Sequence, residues 1–222
     1  MSDFGNITID TPSVTHLYYS DLVPSSYLAV NLNSLVEANL DLVVTVGHYY
    51  NSREGDNITS NPTDLFKGMR NVQIMNLLSQ DSLEIFYLFR GAIPVYENLF
   101  HLSIITESTD CWSGLVYLLN HCPNLETLTI KGTLHYDKYD YICNCVSGYS
   151  FLLSCPVKVV KITEYGGTAD ELLQLKYILE KLSRLERLEV SIWGTDDMKF
   201  QKAKDLLMLP RASTKCKIKI IN

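Results

Sequence analysis

The chain has no apolar run approaching the roughly 18 residues that a membrane-spanning helix needs. It also lacks a basic surplus. With 19 Lys and Arg against 25 Asp and Glu the net charge is −6, which argues against nucleic-acid binding by bulk charge, since that mode uses an excess of cations to release phosphate counterions. Seven Pro and 11 Gly among 222 residues are ordinary globular usage, and 6 Cys are too few for a disulfide scaffold. The first ten residues carry Asp3 and Asp10 but neither a cationic cluster nor an apolar stretch, so no secretory signal is read there. A cytoplasmic or nuclear protein is expected, with Cys111, Cys122, Cys143, Cys145, Cys155 and Cys216 reduced and free. On that expectation the sequons at Asn6 and Asn57 carry no glycan.

Motifs that carry chemistry are equally sparse. Phosphate loop, dinucleotide fingerprint, GxSxG elbow and HExxH are all absent. The histidines, His16, His48, His101, His121 and His135, are scattered. Cys143-x-Cys145 is one residue tighter than a zinc-ligand pair, and only His135 and Cys155 lie near it. His121-Cys122 invites a catalytic reading, but a helix end before Pro123-Asn124 reads more simply as a repeat boundary with an apolar Cys. No enzyme, no cofactor and no metal are expected.

Leucine is the residue in surplus, 32 of 222. The leucines fall in a recurring phrase, apolar-x-x-apolar-x-apolar: Val14-Leu17-Tyr19, Leu35-Ala38-Leu40, Val72-Met75-Leu77, Leu99-Leu102-Ile104, Leu125-Leu128-Ile130, Val157-Val160-Ile162 and Leu185-Leu188-Val190. The intervals between successive copies match leucine-rich-repeat spacing, except that those after Leu35 and after Leu125 are longer and read as insertions. A shortened copy, Cys216-Ile218-Ile220, closes the chain. Each phrase is a short strand with alternate residues inward, and the intervals between them read as helical returns. Thr168-Ala169-Asp170-Glu171 is a capping box, followed by Leu172, Leu175, Leu179 and Leu182 on one stripe. Asn61-Pro62 reads as a cap and a first-turn proline before Leu65, Phe66 and Met69. Trp112 to Cys122 repeats the stripe, and Phe200 to Leu209 stops at Pro210. The expected fold is α/β, a right-handed leucine-rich-repeat solenoid with a parallel sheet on the concave face and irregular helical returns. Solenoids need shielded ends; Asp3 to Asp10 is too short for that, so a preceding segment, a pairing event or a frayed first repeat is expected.

Gly166-Gly167, Glu171-Leu172, Lys176-Tyr177, Leu185-Glu186-Arg187-Leu188 and Leu206-Leu207-Met208-Leu209-Pro210-Arg211-Ala212-Ser213 before Cys216 and Ile218 resemble the FBD domain of plant proteins. Ile9-Asp10-Thr11-Pro12, Tyr19-Ser20-Asp21, Asn31-Leu32 to Asp41 and Cys122-Pro123-Asn124-Leu125-Glu126 are similar to the leucine-rich repeats that precede that domain in plant F-box proteins. The division implied is repeats over 1–134, a Tyr- and Cys-containing insertion over 135–150 and an FBD-like continuation of the solenoid over 151–222. The resemblance implies a non-catalytic substrate receptor of an SCF-type ubiquitin ligase. No segment resembles the F-box, so direct binding to Skp1 is not expected. A truncated relative acting as scaffold, decoy or remnant is the alternative.

Partner-binding candidates follow from alternation. The third and fifth positions of each phrase point away from the core: His16 and Tyr18, Glu37 and Asn39, Ile74 and Asn76, His101 and Ser103, Thr127 and Thr129, Val159 and Lys161, Arg187 and Glu189, with Lys217 and Lys219 at the close. This exposed face runs from aromatic and polar to basic, so a protein partner with an acidic portion is expected near the C-terminal repeats. The plainer reading is a solvated sheet whose charges resist edge pairing. Provided thermal stability is unchanged, replacing Lys161, Arg187 and Lys217 by Glu is expected to abolish binding. Tyr136, Tyr139 and Tyr141 form a second candidate, because tyrosine-rich loops offer large contact area at low entropic cost.

Overall fold

A computed structural model describes residues 6–44, 59–106, 112–132, 134 and 150–221. In chain order the elements are β1 (Ile7–Asp10), β2 (His16–Leu22), β3 (Tyr27–Asn31), β4 (Glu37–Val43), α1 (Thr63–Gly68), β5 (Ile74–Leu77), α2 (Gln80–Leu88), β6 (His101–Thr106), α3 (Ser113–Asn120), β7 (Thr127–Gly132), β8 (Val159–Tyr165), α4 (Ala169–Lys181), β9 (Arg187–Ile192), α5 (Asp196–Leu207) and β10 (Lys217–Ile221). Short 3-10 turns occupy Arg90–Ala92 and Ser150–Leu153.

The repeated phrase sets the register. Strands β2, β4, β5, β6, β7, β8, β9 and β10 lie side by side in that order, all parallel, in one eight-stranded sheet. The fourth position of every phrase aligns across it as Leu17, Ala38, Met75, Leu102, Leu128, Val160, Leu188 and Ile218, and the sixth as Tyr19, Leu40, Leu77, Ile104, Ile130, Ile162, Val190 and Ile220. Inner members of both columns are buried. Alternation drives this: with period 2, one apolar column must face the core or every side chain in the strand changes face. At roughly 1.5–3 kcal/mol per buried Leu-sized side chain, the columns dominate the core. The sheet runs from β2 to β10 without a break, so residues on both sides of position 150 share it.

The returns differ from expectation at the start of the chain. The first two are strands, β1 and β3, paired parallel with each other in a separate two-stranded sheet. The interval from Val14 to Leu35 is the shortest between full phrases and leaves no room for a helix plus turns, whereas an extended return spans the same gap with fewer residues. Ile7 and Ile9 pack half-buried on the core, so part of the N-terminal segment read as too short for a shield forms this return strand. Later returns are helical. Thr168 caps α4 with its hydroxyl on the Glu171 amide at 3.2 Å, while the Glu171 carboxylate accepts from the Thr168 amide at 3.0 Å. Asn61 accepts from the Thr63 amide at 3.1 Å, with Pro62 at the cap itself. Helix α5 begins at Asp196, ahead of the start expected at Phe200. Helix α2, not foreseen, is capped by Ser79 and stacks Phe86 on Phe66 with ring centroids 4.6 Å apart. Among the described residues no helix is long and apolar enough to cross a membrane.

Candidate functional site

Two rows of outward side chains cross all eight strands in register. The first is His16, Glu37, Ile74, His101, Thr127, Val159, Arg187 and Lys217; the second is Tyr18, Asn39, Asn76, Ser103, Thr129, Lys161, Glu189 and Lys219. The candidates that alternation picks out one by one are therefore contiguous. Tyr136, Tyr139 and Tyr141 lie outside the described residues.

Two of the candidates are less open than alternation implies. Thr129 is 7% exposed and Ser103 3%, so neither lies open to a partner. Both are short side chains in central strands, and taller neighbours shade them: His101 Nε2 lies 3.0 Å from Thr129 Oγ1. Thr127 and Lys161 are half-buried, while Tyr18, Arg187, Lys217 and Lys219 are exposed.

The polar groups fall into three sections. Over β2 to β5 a hydrogen-bonded network is centred on Glu37, whose Oε1 accepts from Asn39 Nδ2 at 3.2 Å and Asn76 Nδ2 at 3.1 Å. Asn76 Nδ2 also donates to Asn39 Oδ1 at 2.9 Å, and His16 Nε2 stands 3.9 Å from Glu37 Oε2. In the middle lies the His101 and Thr129 contact. Over β8 to β10 the rows hold four cations, Lys161, Arg187, Lys217 and Lys219, against one carboxylate, Glu189. Glu189 reaches Arg187 Nε at 3.0 Å and Lys161 Nζ at 3.7 Å, with its side chain 13% exposed. Lys217 and Lys219 have no ion-pair partner among the described residues. Lys131, exposed at the end of β7 and two positions beyond Thr129, extends the basic section. Strand parity places it on this face, one position beyond the end of the repeated phrase.

Burial holds His101 below the usual imidazole value of 6.5; Lys161 and Lys131 add to the effect and Glu37 opposes it. A folded-state value below the unfolded one means that the unfolded chain binds the extra proton first as pH falls through about 6.5. Stability is therefore retained above that pH and declines below it until the folded value is reached. In His101→Gln this decline should be smaller. Thermal midpoints of both proteins between about pH 7.5 and about pH 5.5 check it, and parallel pH dependences would show that His101 contributes none of the slope.

On the helical side His121 and Cys122 both contact backbone carbonyls of α3. Cys122 is fully buried, its Sγ donates to the Leu118 carbonyl at 3.1 Å, and burial with Cys155 nearby pushes the thiol up to about 12. It is a protonated core residue. His121 Nδ1 sits 2.8 Å from the Tyr117 carbonyl at the end of α3. Cys155 and Cys216 are buried free thiols; Cys111, Cys143, Cys145 and His135 lie outside the described residues. Among the described residues no three His, Cys, Asp or Glu side chains gather as a metal site.

No protein-family model matches the chain, so the FBD part of the resemblance has no support from that comparison. No solved structure matches it either. Three proteins of Arabidopsis thaliana, two named F-box/LRR-repeat proteins and one a putative F-box/LRR-repeat protein, are 50%, 48% and 47% identical to it over 98%, 100% and 99% of its length. The chain spans 37%, 49% and 50% of theirs, about half the length of these curated relatives or less. Over nearly its whole length the chain is similar to these plant F-box/LRR-repeat proteins.

Proposed function

We propose that the chain is a non-catalytic protein-recognition module of the SCF-type ubiquitin ligase system, a right-handed solenoid whose parallel sheet lines the concave face and presents the two outward rows to a substrate. The observation that carries this reading is the change of character along those rows. At one end the polar groups satisfy one another through Glu37, Asn39 and Asn76. At the other, Lys217 and Lys219 have no ion-pair partner among the described residues and stand beside the Lys161, Glu189 and Arg187 cluster. Unpaired cations on a preformed face attract and orient an acidic surface more than they stabilise the fold. The partner is a protein with an acidic portion that meets Lys161, Arg187 and Lys217, and its neutral portion reaches Tyr18, Asn39 and Asn76. The names of the relatives support the ubiquitin-ligase setting. Docking to Skp1 is not assigned to the face, and the tyrosines at 136 and 139 are a secondary contact in the same reading. The working compartment is cytoplasmic or nuclear.

Glu189 decides which charge change can test the face. Glu at both 161 and 187 would leave that poorly exposed carboxylate between two like charges, and directly opposed like charges destabilise a ladder. Lys161→Gln with Lys217→Glu avoids this, because Arg187 still pairs with Glu189 and position 217 neighbours Arg187 in the register. In proximity labelling in plant tissue, the double variant should lose the proteins labelled by the parent chain while keeping its thermal midpoint. An unchanged set would overturn the assignment of the face.

A further inference from the structure

The free edge of β10 offers a different mode of binding from the sheet face. Lys217 N–H donates to the Glu186 carbonyl at 2.9 Å. In a parallel ladder alternate residues direct both backbone groups to the same side, so Lys217 and Lys219 bond toward β9, while Ile218 and Ile220 direct N–H and C=O away from the sheet. No strand among the described residues pairs with that edge. The core side is uncovered too. Ile218 and Ile220 are only half-buried, whereas their neighbours one strand in, Leu188 and Val190, are 1% and 0% exposed. Helix α5 packs against β10, and its Ala203 and Leu206 join the core. Beside them Phe200 and Leu207, two turns apart and so on one stripe, are 75% and 50% exposed.

The outward side of the same edge is charged. Lys217 and Lys219 alternate with the isoleucines and point to one face without an ion-pair partner among the described residues. Between β8 and β9 the sheet already contains the matching pair: Lys161 and Glu189 are register partners in the second row, with Nζ and Oε2 3.7 Å apart. An acid one strand beyond Lys219 would repeat that contact. We propose that β10 accepts an extended peptide segment as a ninth strand, in which acidic residues alternate with apolar ones. Its carboxylates stand over Lys217 and Lys219, its apolar residues cover Ile218 and Ile220, and its backbone bonds the free groups of those two isoleucines. Lysines on an edge also repel a strand that carries the same charge, so a second copy of β10 is disfavoured by the groups that select the acidic segment. The opposite edge, β2, presents His16 and Tyr18 and has no such pair of cations.

The mode is separable from recognition by the sheet face. The probe is a fluorescein-labelled heptapeptide of alternating Glu and Val, with two controls: Lys in place of Glu, and the Glu and Val order scrambled. Against the full chain, anisotropy at low salt should show binding of the alternating acidic peptide at least about tenfold tighter than of either control, the equivalent of about 1.4 kcal/mol. Amide shifts should centre on Ile218 and Ile220. Lys217→Glu should cut affinity for the acidic peptide. Ile220→Pro should abolish binding, because it removes an edge N–H and leaves the ladder bonds to β9, a place where proline is tolerated. Ile220→Pro should keep the proteins labelled through the sheet face, and Lys161→Gln should keep the peptide. Equal binding of the scrambled peptide, shifts elsewhere on the sheet, or concentration-dependent self-association through β10 without peptide would each overturn the proposal.

Discussion

Gly114→Ala should lower the unfolding midpoint of this chain by roughly 5 °C, although the same exchange in an exposed helix raises stability. In the ordinary case alanine gains up to about 1 kcal/mol over glycine, because glycine loses more backbone freedom on folding. Here the added methyl would collide with the backbone carbonyl oxygen of Leu83 and lie 2.9 Å from its carbonyl carbon. Gly114 sits in the first turn of α3, and the group it meets belongs to α2. A backbone carbonyl cannot rotate aside as a side chain can, so the two helices must separate, and forced overpacking of this kind costs about 1–3 kcal/mol. In a domain of this size each kcal/mol moves the midpoint by about 2–4 °C. Gly114→Val should be worse. Two controls make the result specific. A methyl added at Gly91 would meet nothing within 4 Å, so Gly91→Ala should leave the midpoint near that of the parent. Leu83→Ala combined with Gly114→Ala should not recover the loss, because the obstruction is main chain. Recovery by that double substitution would show that the contact is misassigned.

Helix α2 also marks where the sequence stops being readable. The strands are legible because their information is local and repeated: one short phrase fixes which side chains face inward, and copies of it align in one register. Met75 beside Leu102 and Val160 beside Leu188 follow from that alone. Helix α4 is legible for a similar reason, since Thr168 and Glu171 signal its first turn. Helix α2 has no such signal. Its cap is Ser79, but position 82 holds Ser where a capping box has Glu or Gln, and the buried Leu83, Ile85 and Phe86 do not follow a clean helical stripe. The strands β1 and β3 escape a reading of the sequence because so short an extended return carries no periodicity that separates it from loop.

The candidate face divides along the same line. Which side chains point outward is a matter of parity, so His16, Asn39, Lys161 and Lys219 can be placed from sequence. How far each one stands out depends on the heights of its neighbours in adjacent strands, and the burial of Thr129 beside His101 is therefore invisible there. The role of Glu189 is hidden for a related reason. Its partners, Arg187 on its own strand and Lys161 on the preceding one, become neighbours only through the pleat and the ladder. That pairing changes what a mutation tests: charge reversal at 161 and 187 probes the fold as well as a partner.

Ser82→Ala should cost about 1–3 kcal/mol, the range for leaving a buried backbone donor unsatisfied, at a side chain on the core side of the sheet. Strand β4 has seven residues and β5 only four, so β4 outruns its neighbour. Where the two part, Leu78 N–H still donates to the Leu40 carbonyl at 2.8 Å. Beyond that bond the Ser82 hydroxyl takes the place of a strand. Its oxygen accepts from Leu42 N–H at 2.7 Å, and the carbonyl of Leu40 lies 3.2 Å away to receive its proton. Ser82 is 1% exposed, so water does not replace it. Alanine keeps the volume almost unchanged and favours the helix by a few tenths of a kcal/mol; the loss is then one of hydrogen bonding, reduced slightly by propensity. Hydrogen exchange gives the residue-level reading. In Ser82→Ala the Leu42 amide should lose protection well before the amides of β9, which lies at the far side of the sheet. Ser82→Thr, which retains the hydroxyl, should restore protection at Leu42. If Leu42 stays as protected in Ser82→Ala as in the parent, the hydroxyl is not its partner in solution, and the end of β4 must be held by something other than α2.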